Sequence, residues 1–343
     1  MLKNRKFKEL AVQYINKYKL NLEGYNVLVP MMEQEPCLLA AIAGLAGACR
    51  VYMFNPKITV NQKIESVDSE LNFNINVIGG ISLEILSGLN IILKNSKIPL
   101  KQDKMACFSK KSSVISMFPE NLDFINMQNI EKELLDNKDL SIIGLDPENQ
   151  SISLYQQFAH VVVKRCYQLG IDVLKSKILL IGHGDLLNCS LSLLKSTGAI
   201  VYAYNVFSES DQSYILKHLK ELDAIIVMDY PQTSRQIIGS KGVISISDIV
   251  DQCPLVKVIH ISGKTETASL RLGNISCFPE ETSQDSLNTD IKELGERGIT
   301  ELATASFKVA ENFLKLRKNA LNLNDSVVTY KLLNNKPSLL LGG

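Results

Sequence analysis

The stretch "KILLIGHGDLLNCSLSLLKSTGAIVYAYNV", residues 177–206, decides the architecture. It spells an apolar strand, a glycine turn, a helix and a second strand. Gly182 and Gly184 bracket His183 directly before the helix, which Asp185 opens. In that setting, backbone N–H groups at a helix N-terminus face a concavity that side chains would otherwise fill, and the helix dipole favours an anion there.

The full dinucleotide fingerprint, G-x-G-x-x-G, has a third glycine for close helix–strand packing; here that position is Leu187. Its second strand ends in an acid that accepts hydrogen bonds from the adenosine ribose; here Asn205 stands in that place and can still hydrogen-bond a hydroxyl. No arginine lies nearby in the stretch, so it gives no sign of a 2′-phosphate. Gly182, His183, Gly184, Asp185 and Asn205 are therefore the candidate cofactor contacts, with NAD as the cofactor. The other reading is a structural βαβ unit that binds nothing.

Outward from this stretch the pattern repeats. "AIVYAYNV" leads to a helix near "SYILKHLKEL", and "DAIIVMDY", "GVISISD" and "VKVIHISG" read as further strands. Residues 151–294 are thus predicted to form a Rossmann-like, doubly wound lobe, opened by the helix in "SISLYQQFAHVVVKRCYQLG". From Lys264 to about Asp290 the sequence turns polar and reads as a loop. The first 150 residues show the same alternation: strands in "YNVLVPMM", "CRVYMFNP", "INVIGG", "SSVISMFP" and "LSIIGLD", helices in "EPCLLAAIAGLAGA" and "NIEKELLDN", and an amphipathic segment, "ISLEILSGLNIILKN". Strands separated by helix-length segments imply a parallel sheet. The amphipathic helix "GITELATASFKVAENFLKLRKNA" then returns the chain, so that residues 295–343 complete the first lobe. The fold class is α/β, two lobes with mainly parallel sheets.

At 343 residues the chain suits two domains, and 45% hydrophobic with 21% charged residues is an ordinary globular composition. With 37 basic against 36 acidic residues, no global field steers it to nucleic acid or an anionic membrane, which leaves a small-molecule or protein partner. The basic start lacks a signal peptide's apolar core, and no run of about 18 apolar residues occurs, so a cytoplasmic protein is expected. Seven scattered cysteines and four isolated histidines contain no metal-ligand spacing, and no metal is expected.

Three side chains are candidates for catalysis. His260 ends the strand "VKVIHIS", where parallel sheets place ligand contacts; a hydrogen-bonded histidine at a strand end is the plainer reading of the pattern. Glu33 and Glu35, in "MMEQEP", follow the first strand and could bind an amine or share a proton, while helix-start acids also occur for dipole reasons alone.

The residues 182–206 resemble the NAD-binding segment of the S-adenosylhomocysteine hydrolase family, G-Y-G-D-V-G-K-G followed by a helix and G-A-x-V. Gly182, Gly184, Asp185, Gly198, Ala199 and Val201 match; Leu187, Cys189 and Asn205 depart. "MMEQEPCLLAAIAGLAGACRVYMFNPK" resembles that family's H-M-T-x-x-T-A-x-L segment, with Met31 in place of its substrate-binding histidine and Glu33 and Pro36 in place of threonines. The family's S-x-x-K-x-x-x-D-N stretch has no lysine here. The resemblance implies a substrate lobe, a cofactor lobe, a cleft between them and a homodimer or tetramer, with His260 near the nicotinamide. It does not imply that family's hydrolysis. The function expected is an NAD-dependent enzyme, of this or the 2-hydroxyacid dehydrogenase type, acting on a small polar metabolite. The alternatives are a catalytically degenerate binding or scaffold protein, and a cofactor-independent enzyme using Glu33 or Glu35.

Overall fold

Asn26–Pro30 is apolar at nearly every position and buried beyond its first residue, as a central parallel strand covered on both faces requires. A computed structural model describes residues 5–33, 36–58, 62–65, 74–95, 98–100, 113–118, 141–145, 152–207, 212–230, 233–282, 287–317 and 330–332. These divide into two compact units: residues up to 152 and from Gly295 on form the first, and Ser153–Leu294 the second.

In the first unit, α1 (Arg5–Tyr18) and β1 (Asn26–Pro30) are followed by α2 (Leu38–Leu45), β2 (Arg50–Phe54), β3 (Gln62–Glu65), β4 (Asn74–Ile78), α3 (Leu83–Ser87), β5 (Ile91–Lys94), β6 (Val114–Met117) and β7 (Ile142–Leu145). Six of the strands are parallel in the order β7-β6-β5-β1-β2-β4, and β3 runs antiparallel on the β4 edge. The chain winds outward from β1 to β4, then returns to the other side of β1 at β5. The amphipathic segment at 81–95 divides: the Ser82 side chain accepts from the Ile85 amide to start α3, and Gly88 ends it. Ile91–Lys94 then enters the sheet, buried throughout, because a central strand covers more apolar surface than a helix face would. The helix expected in "NIEKELLDN" lies outside the described residues.

The second unit runs α4 (Leu154–Gln168), β8 (Lys177–Gly182), α5 (Gly184–Ser196), β9 (Ile200–Asn205), α6 (Gln212–Leu219), β10 (Ala224–Met228), β11 (Gln236–Ile238), α7 (Ile246–Gln252), β12 (Lys257–Ser262), β13 (Lys264–Thr265), α8 (Thr267–Leu272) and β14 (Ser276–Phe278). Its five parallel strands are ordered β14-β12-β10-β8-β9, the doubly wound order 2-1-3-4-5. Two expectations are corrected. "GVISISD" contributes only a bridge at Ile244, because Ser245 accepts from the Asp248 amide and caps α7. The polar segment after Lys264 is largely ordered, and Ser276–Phe278 supplies the fifth strand, paired with β12.

The chain then returns to the first unit through α9 (Gly295–Arg317), and β15 (Tyr330–Leu332) pairs antiparallel with β7. The amphipathic pattern of α9 predicts a solvated face, yet residues 298–314 are all buried. Its charges are matched instead. Glu301 accepts from Lys17 Nζ at 2.6 Å and Tyr18 Oη at 2.9 Å, and Glu311 pairs with Lys308 at 2.8 Å and with Lys315. Buried charges persist only when paired in this way. Among the described residues no helix is long and apolar enough to cross a membrane.

Candidate functional site

Parallel sheets bind ligands beyond the carboxyl ends of their strands, where the winding reverses. In the second unit that point lies between β8 and β10, since β9 pairs with β8 on its far side. Gly182, His183 and Gly184 stand at the end of β8, and Asp229 directly follows β10.

Each glycine has its own physical reason. A Cβ on Gly182 would sit 2.2 Å from the Met228 carbonyl oxygen, so glycine is what lets β8 and β10 approach at their ends. Gly184 has φ +70°, a left-handed conformation that favours glycine, and a Cβ there would meet nothing nearer than Tyr230 O at 3.7 Å. That is an ordinary van der Waals contact, and Gly184 itself is exposed to solvent. His183 is the N-cap of α5 but makes no side-chain cap bond, so the first amides of the helix are not capped by it. Leu187 is buried and Asp185 exposed, so the bulk that replaces the third glycine is directed into the core.

The His183 ring turns instead to Asp229. Its Nδ1 lies 2.9 Å from Asp229 Oδ1, and the ring packs edge-on to Phe207 with centroids 4.6 Å apart. Asp229 is 0% exposed; its Oδ2 accepts from Thr233 N at 2.9 Å and Thr233 Oγ1 at 2.7 Å. Its amide donates to Ser262 O, and Ser262 Oγ donates to its carbonyl, both at 3.0 Å. One buried residue thus ties the ends of β8, β10 and β12 together, its carboxylate holding His183 and its backbone holding Ser262. Sequence reading passed over Asp229, although an acid directly after the fully apolar "AIIVM" was the signal.

Asn205 is exposed at the end of β9, and its Oδ1 accepts from the Phe207 amide at 3.0 Å. Beside this turn stands a cation that linear distance concealed. Arg235 Nη1 donates to Val206 O at 2.9 Å, and its guanidinium lies 6.0 Å from the Tyr204 ring centroid.

His260 lies inside the unit, 0% exposed. Its Nε2 donates to Gly263 O at 2.6 Å and its Nδ1 accepts from Asn288 Nδ2 at 3.0 Å. Burial, with the Arg165 charge adding to it, holds the imidazole down to about 4, so at neutral pH the ring is uncharged with both nitrogens occupied. Arg165, equally buried, forks onto Glu293 at 2.8 and 2.7 Å, donates to His260 O at 2.9 Å and also reaches Asn288 O. This network anchors α4 and β12 to the segment ending at Leu294. Glu33 is exposed at a bend after β1 in the first unit, and Glu35 lies outside the described residues.

No family model matches this sequence, and no curated protein matches it either. Among solved structures, a dipicolinate synthase chain from Bacillus halodurans is similar at TM-score 0.57 and 13% identity, covering 87% of this chain and 99% of that one. The corresponding dipicolinate synthase chain from Bacillus subtilis follows at TM-score 0.54 and 14% identity, covering 88% and 98%. At such identities the likeness is one of fold: an α/β chain with two parallel sheets, the second Rossmann-like. Looser matches include the NAD+-bound 3-phosphoglycerate dehydrogenase of Entamoeba histolytica, at TM-score 0.43 and 11% identity over 87% and 96% of the chains.

Proposed function

We propose that the second unit binds a nicotinamide dinucleotide and that the chain is an oxidoreductase acting on a small polar metabolite. One observation carries this reading: the strand-order reversal at β8 and β10 coincides with a glycine turn that runs into α5 without a side-chain cap and leaves Gly184 exposed. The residues fit the group. The α5 amides and Gly184 would meet the pyrophosphate, Asp185 would flank it, and Asn205 would meet the adenosine ribose. The resemblance of residues 182–206 to the hydrolase family's NAD segment favours a dinucleotide over a simple anion. When bound, the cofactor would supply hydride chemistry.

The proton that accompanies a hydride needs a side chain with an available nitrogen or oxygen. His260 has neither ring nitrogen open, so its part in this proposal is to hold the end of β12. His183 keeps Nε2 without a partner among the described residues while Asp229 orients the ring, the arrangement of a base steadied by a carboxylate. It is the proton carrier we propose. Glu33 and Glu35 remain proposed substrate contacts, as acids following β1.

A second reading is a binding or scaffold protein without cofactor. It is favoured by the contacts that account for Gly182 without any ligand. Two measurements separate the readings: the spectrum and mass of ligand released from denatured protein, and thermal stability titrated with NAD(H), NADP(H) and S-adenosylhomocysteine. Dinucleotide binding predicts about 2–3 kcal/mol of stabilisation at a hundredfold excess over Kd. No released nucleotide and no shift with any of them would remove the dinucleotide-dependent enzyme reading and favour the scaffold.

A further inference from the structure

Building on the dinucleotide reading, we propose that the adenosine ribose of the ligand carries a phosphate, and that Arg235 and Asn205 select NADP(H) over NAD(H). Where dinucleotide folds hold a free ribose, the second strand ends in a carboxylate that accepts both hydroxyls and repels a phosphate. Asn205 occupies that place and carries no charge.

The fold then brings a cation to the same strand end from 30 residues further along the chain. Arg235 immediately precedes β11, and its Nη1 bond to Val206 O places the guanidinium beside the residue that follows Asn205. The Tyr204 ring, buried in the core, lies 6.0 Å beneath the cation and limits where it can swing. One donor is spent on the carbonyl. The side-chain Nε and Nη2 donors have no partner among the described residues, and the side chain is exposed to solvent. Those remaining donors form the planar fork that matches a phosphate monoester. Loss of the repelling carboxylate and gain of a fixed guanidinium are separate observations, and both favour the same chemistry.

Calorimetric titration of the full-length protein with NADP+ and NAD+ at matched ionic strength tests this. NADP+ is expected to bind at least tenfold more tightly. Arg235→Ala should remove that preference by weakening NADP+ while leaving NAD+ within about twofold, Arg235→Lys should keep part of it, and Asn205→Asp should shift preference toward NAD+. Circular dichroism and Tm of each variant report on folding, and the lysine variant keeps the comparison open if the alanine variant misfolds. Equal or tighter NAD+ binding by the natural protein overturns the inference, as does an Arg235→Ala variant that weakens both cofactors alike. Binding of neither cofactor is a different pattern: it overturns the dinucleotide reading itself, and the selectivity falls with it.

Discussion

His183 Nδ1 and Asp229 Oδ1 lie 2.9 Å apart at the junction of β8 and β10. The carboxylate is an acceptor only, so the neutral imidazole carries its proton on Nδ1 and presents Nε2 as a lone pair. Asp229→Asn should invert this tautomer, because the amide can donate to Nδ1 while its oxygen still accepts from Thr233. Nitrogen-15 shifts of His183 should show Nε2 unprotonated in the natural protein and protonated in the variant. Turnover should fall with little change in KM. An unchanged nitrogen spectrum would rule out this pairing.

The two turn glycines should respond differently to alanine. Gly182→Ala forces a carbon to 2.2 Å from a backbone oxygen, so strand ends must separate, with an expected cost of about 1–3 kcal/mol or more. Gly184→Ala meets no such obstacle and carries only the left-handed backbone penalty, about 1–2 kcal/mol. Urea denaturation should therefore rank Gly182→Ala as the less stable variant.

Much of the fold was legible because its strands are short apolar runs separated by helix-length segments, as in "KILLIG" and "AIIVM". What was not legible depended on competition between neighbours. Ile91–Lys94 reads as part of one amphipathic segment until β1 offers it a central place in a sheet, and α9 reads as half-solvated until Lys17 and Tyr18 arrive to satisfy Glu301. The site divides in the same way. The glycine turn is local and could be read; Asp229 and Arg235 reach it from 46 and 29 residues beyond their contacts, a relation no spacing rule encodes.

Arg165 tests how far the second unit depends on one buried cation. Arg165→Ala removes one donor from each of the His260 and Asn288 carbonyls and the only cation paired with Glu293 among the described residues, and a loss of about 3–5 kcal/mol is expected in chemical denaturation. Arg165→Lys keeps the charge but not the fork onto Glu293, and should recover only part of it. A loss below about 1 kcal/mol for the alanine variant would show that the network contributes little.

His260 makes stability depend on acid. Its folded value of about 4 lies below the ordinary 6.5, so between those limits the unfolded chain binds the proton that the folded chain excludes. Stability is full above about pH 6.5 and declines as pH falls toward 4, by an amount on the order of 3 kcal/mol. Denaturation midpoints measured across that window should slope less in His260→Gln than in the natural protein.

Thiol accessibility offers a simple check on the packing. Burial pushes Cys166 up to about 12 and Cys253 and Cys277 up to about 11, whereas Cys49 is exposed. A thiol reagent at neutral pH should modify Cys49 promptly and the three buried residues only after denaturation.

The first unit is assembled from both ends of the described chain, with Ser153–Leu294 interposed. During synthesis the ribosome therefore releases every strand of the second sheet before α9 and β15 emerge. The later-numbered unit is the one able to fold first, while the six parallel strands that precede it wait, without their closing helix, for the last segment to arrive.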